Sequence, residues 1–212
     1  MTYLADVGAL ARKDLLLELR ARDTLPAMLL FVVSTLVVFH FVLPADSSDL
    51  AATGLLWVAL LFTALLGLSR AFAAEREQGV IDGLVLAPSD RSAIWLGKAL
   101  SVCVFLALAE LVALPAFAVF FRNVGGALLA GVALADLGIA AVGTFLAAMA
   151  AASRARELLL PLLFLPLAIP IVVGGVGASV SDDPGRYVGF LGLYDALFAI
   201  ICWASFEYVV TE

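Results

Sequence analysis

Six apolar runs, each long enough to cross a bilayer, make up most of this 212-residue sequence: 25–43, 50–73, 94–121, 125–152, 158–180 and 187–210. A helix rises about 1.5 Å per residue and a bilayer core is about 30 Å thick, so a run of roughly 20 residues spans it. Lipid offers no partner to a free backbone amide, so such runs must close their hydrogen bonds as helices. The breaks between them are polar or turn-forming: Pro44 with Asp46 and Asp49, Arg122 with Asn123, Arg154 with Arg156, and 181–185. Composition agrees, because 64% hydrophobic and 14% charged residues with a mean hydropathy of +1.13 exclude an ordinary soluble domain. The expectation is an all-α, polytopic membrane protein of about six transmembrane helices, with 1–212 as a single domain.

The placement of basic residues says more than the net charge of −6. Arg12, Lys13, Arg20, Arg22, Arg70, Arg76, Arg91, Lys98, Arg154 and Arg156 fall on one side of the spans, and Arg122 and Arg186 on the other. Both termini are therefore expected in the cytoplasm, with short outer turns at 44–49 and 181–186. The first apolar run follows a charged segment and ends without a small-residue cleavage site, so the N-terminus is expected to be retained. Cys103 and Cys202 lie inside apolar runs and suggest buried thiols rather than a disulfide or metal site. Nothing calls for nucleic acid.

Two cytoplasmic segments stand out. Within 1–22, Leu4, Val7, Ala11 and Leu15 recur at helical spacing opposite Arg12, Lys13 and Arg20, the pattern of a helix lying on the membrane surface. Asp14 and Glu18 fall beside or on its apolar face, where a protein partner is expected to cover them. Asp23, Thr24 and Pro26 restart the chain. Within 74–93, Glu75 and Glu77 begin a stretch that runs through Gly79, Asp82 and Leu84 to Pro88. Its apolar centre predicts a helix of one or two turns that seeks a groove on a partner. Ser89 or Asp90 can cap the helix that follows.

The sequence holds no G-x-x-x-x-G-K-[ST] phosphate loop and no H-E-x-x-H, so no catalytic residue and no metal site are assigned. ATP hydrolysis, if used, belongs to a partner. The single histidine, His40, sits between Phe39 and Phe41 and reads either as an interfacial side chain or as an axial haem ligand. Glu110, Asp136 and Asp195 lie within the third, fourth and sixth spans, about 12 to 17 Å from the outer ends. Burying such a group costs about 2.5–3.5 kcal/mol on insertion scales. They are either packing groups or a transport and gating site, and antiparallel neighbouring spans could bring Glu110 and Asp136 together. Trp57 joins this intramembrane set as a core aromatic or a substrate wall.

Three stretches resemble CcmB, the membrane subunit of the cytochrome c maturation (haem exporter) ABC transporter. They are Arg12-Lys13-Asp14-Leu15-Leu16-Leu17-Glu18-Leu19-Arg20, then 54–59 leading through Glu75-to-Pro88 to Lys98, then Leu160-Pro161 through Pro166 to Pro170. The middle stretch alone is similar to ABC-2-type permeases in general. The resemblance implies that Glu75 to Pro88 form the coupling helix on an ATPase, with 1–22 as the connecting helix beside it. It also implies a CcmA-like ATPase, a CcmC-like haem-handling protein, a haem chaperone, a second copy of the chain and the bacterial inner membrane. Haem is then a cargo rather than a firmly bound cofactor, or the chaperone is what the cycle releases. Two alternatives stay open: an ABC-2 exporter of lipid, polysaccharide or drug, and a proton-coupled secondary transporter using Glu110 and Asp136.

Overall fold

A computed structural model describes residues 3–44, 47–72, 90–153 and 155–211. Among them are seven helices and no strand: α1 (Tyr3–Ala21), α2 (Thr24–Val42), α3 (Asp49–Arg70), α4 (Arg91–Phe120), α5 (Gly126–Ala152), α6 (Arg156–Val180) and α7 (Pro184–Thr211). Helices α2 to α7 are long and apolar enough to cross a membrane. They match the six apolar runs to within a few residues at each end.

Capping chemistry fixes several ends. Ser48 accepts the Ala51 amide at 3.3 Å to open α3. Asp90, one of the two expected caps, accepts the amide (2.9 Å) and hydroxyl (2.7 Å) of Ser92 to open α4. Those bonds, the hydroxyl's first, hold the Asp90 carboxyl below its ordinary range. Between α1 and α2 the chain turns at Arg22, whose φ of 59° is left-handed. Pro115 in α4 and Pro161, Pro166 and Pro170 in α6 do not end their helices; neighbouring groups in a bundle can meet the carbonyls a proline frees. Tyr194 of α7 donates to the Leu167 carbonyl, next to the Pro166 carbonyl that Pro170 leaves without its helical donor, at 2.7 Å.

The spans alternate in direction, and α5 is the most enclosed, packed on α4, α6 and α7. By contrast α2 sits at the edge and buries the stripe Met28, Val32 and Leu36. Backbone approaches are close where glycine permits it. The Trp57 indole of α3 lies flush on Gly175 of α6, in space that a Cβ would occupy, and its N–H donates to Ser179 at 3.4 Å. Helix α1 lies across the first turns of α4 in the same way, with the Leu10 side chain and Val7 carbonyl against Gly97. Tyr3 and Ser92 share a hydrogen bond of 3.1 Å at that contact.

Candidate functional site

The intramembrane carboxyls come from three helices. Glu110 on α4 and Asp136 on α5 come together between the two helices, where both border the same two spaces. Two carboxyls can hydrogen-bond to each other only with a proton between them, since an ionised carboxylate only accepts. Asp195 on α7 sits against Gly138 of α5, and neither of its oxygens has a hydrogen-bond partner among the described residues. Among the described residues, no lysine or arginine pairs with any of the three. Cys103 on α4, near the pair, donates weakly to the Asp136 carbonyl at 3.6 Å.

The Glu110–Asp136 pair separates two spaces. Outside it lies a groove of about 550 Å³ between α4 and α5, whose walls include Leu114, Pro115, Leu129 and Val132. Leu111 on its rim is 72% exposed, so the groove opens away from the bundle. Inside lies a void of about 10 Å³ bounded by Trp57, Leu60, Ile139 and Ile171. That void is at the lower limit for a single water molecule, so the apolar packing around Trp57 leaves little room on the inner side. The volume of the outer groove lies within the range of small-molecule sites, about 300–1,000 Å³.

His40 lies near the far end of α2, ringed by Phe41, Phe120 and Phe121 at 5.2–5.8 Å between centroids. Its Nδ1 is 3.0 Å from the Phe120 carbonyl. A carbonyl only accepts, so Nδ1 donates and closes one of the free carbonyls at the end of α4.

At the α1 end, Asp14 lies 3.1 Å from both Lys98 and Lys13. The sequence pattern points to a protein partner over Asp14, yet the cover comes from this chain. Lys98, which reads as one more positive flank, is only 3% exposed. Glu18 lines a small pocket with Asp14, and Arg20 is exposed. Glu75, Glu77, Gly79, Asp82, Leu84 and Pro88 lie outside the described residues.

The profile of the CcmB protein matches residues 6–206. The chain belongs to the CcmB family. Heme exporter protein B of Rhodobacter capsulatus is 35% identical over 172 residues, 79% of each chain. The protein of that name from Paracoccus denitrificans is 34% identical over 192 residues, 86% of this chain and 88% of the relative. That from Bradyrhizobium diazoefficiens is 30% identical over 205 residues, 94% and 90% respectively. The family match thus takes in α1 together with all six spans. It includes the carboxyl pair, the groove and Lys98.

Proposed function

We propose that this chain is the permease subunit of an ABC-type haem exporter, serving haem export or haem-chaperone release in cytochrome c biogenesis. The supporting observation is the CcmB match across residues 6–206, taken with a sequence that contains no phosphate loop. On this reading a separate CcmA-like ATPase supplies hydrolysis, and a CcmC-like protein and an outer haem chaperone handle the cargo. A second copy of the chain completes the membrane half, in the inner membrane with both termini cytoplasmic. The 75–88 segment is the dock for the ATPase, with Gly79, Asp82, Leu84 and Pro88 at the contact and α1 beside it. Glu110 and Asp136 serve the transport cycle as a protonated link between α4 and α5, and Asp195 and Trp57 border that region.

Expression in a bacterium lacking its own CcmB tests the reading. Restored c-type cytochromes and copurification of the ATPase are expected. Leu84→Asp is expected to abolish both, because the contact would desolvate a charge. Normal ATPase copurification with that variant would remove the dock from 75–88, and an absence of restored cytochromes with good expression would remove the haem assignment.

A further inference from the structure

Lys98 touches more separate parts of the chain than a positive flank requires. Its ammonium is 3.1 Å from Asp14 on α1, donates to the Ala71 carbonyl just past α3 at 2.7 Å, and stands 4.7 Å from the centre of the Phe72 ring. The side chain is 4% exposed. A buried charge is tolerated only when such partners surround it, and removing one leaves the other costly. Ala71 and Phe72 immediately precede 73–89. One ammonium on α4 therefore holds both the surface helix and the root of the cytoplasmic segment.

The surroundings differ on the two sides of this contact. Toward the start of α1 the packing is close, with Leu10 and the Val7 carbonyl against Gly97. Toward the end of α1 lies a pocket of about 40 Å³ lined by Asp14, Glu18, Thr24, Arg70 and Ser101 among others. The Thr24 hydroxyl there is buried and has no hydrogen-bond partner among the described residues. Met28, Phe105 and Leu106 line the pocket's other side, and its volume is large enough for water. The junction is thus close-packed at one end and more loosely filled at the other.

We infer that Lys98 is a positioning residue that joins α1, the root of 73–89 and α4, so that a displacement of the docked segment passes into α4. Glu110 lies on the same helix about 18 Å further along, at 1.5 Å per residue. The inference rests on the proposed ATPase dock, and its test separates the two. Spin labels at Arg12→Cys and Leu100→Cys, with Cys103 and Cys202 changed to Ser, report the α1–α4 distance in nanodiscs. Turnover of the bound ATPase reports coupling.

Lys98→Met is expected to keep the ATPase bound, broaden the distance distribution and lower stimulated turnover about tenfold, within the range usual for coupling between sites. Asp14→Asn, which leaves Lys98 its carbonyl and its ring, is the milder variant should Lys98→Met fail to assemble, and it is expected to broaden the distance and lower turnover less. Exchanging the charges, with Lys98→Asp and Asp14→Lys, is expected to narrow the distance again without restoring turnover, because a carboxylate then faces the Ala71 carbonyl. Unchanged turnover in Lys98→Met and Asp14→Asn would overturn the inference, as would full recovery in the exchange. A parent chain that binds no ATPase would defeat the dock instead, and unchanged label distances in Lys98→Met would then still defeat the joint.

Discussion

The α1 end of the molecule and its middle treat buried charge in opposite ways. At the α1 end, the buried Lys98 is met by Asp14, by the Ala71 carbonyl and by the Phe72 ring. In the middle, Glu110 and Asp136 have each other, and Asp195 has no partner at all among the described residues. Opposite charges with matched bonds hold helices together. Acids that meet only acids need a proton to coexist, and apolar side chains of similar shape would pack the same space at lower cost. The first arrangement suits a joint that must stay closed; the second suits a site selected for something other than stability.

Substitutions can sharpen that contrast. Lys98→Glu, placing like charges at Asp14, is expected to have the largest effect, a loss of about 3–5 kcal/mol; size-exclusion profiles and thermal unfolding in detergent would record detachment of α1. Full stability would mean that the pair contributes little. Asp195→Val removes two partnerless oxygens and is expected to raise stability by about 1–3 kcal/mol, the cost typical of an unsatisfied buried polar group. A lower melting temperature would mean that Asp195 gains a partner in the membrane. Smallest of all, Glu207→Gln, which loosens the exposed 3.3 Å pair with Arg91 between α7 and α4, is expected to change stability by under about 1 kcal/mol. A larger loss in a urea or thermal series would show that this pair acts with its neighbours.

The sequence and the structure agree most where local signals suffice. Continuous apolar runs bounded by prolines and charges locate α2 to α7, and Asp90 is legible as a cap because capping acts over two or three residues. The helical spacing of Val7 and Ala11 locates α1 and its inward face, though Leu4 on the same expected stripe is 76% exposed. What could not be read is pairing across distance. Lys98 and Asp14 are 84 residues apart, and Trp57 and Ser179 are 122 apart; no periodicity connects them. A lysine two turns inside an apolar helix was the available signal, since such a group requires an acid. Neighbouring antiparallel spans made the meeting of Glu110 and Asp136 foreseeable, whereas the groove outside them depends on how α4 and α5 splay. Gly138 gives no hint of Asp195, because a glycine marks close approach without naming what approaches.

The most direct measurement is ATP turnover by the reconstituted transporter carrying Glu110→Leu together with Asp136→Leu, set beside Glu110→Gln with Asp136→Asn. Both double variants are expected to fold and bind the ATPase, because the carboxyl pair contributes little to stability. The Leu pair is expected to lose stimulated turnover and cytochrome c maturation, and the amide pair, which keeps a hydrogen bond between α4 and α5 but cannot exchange its proton, to be altered in turnover. Full turnover and full maturation in both would contradict a role for the pair in transport and make it a packing contact.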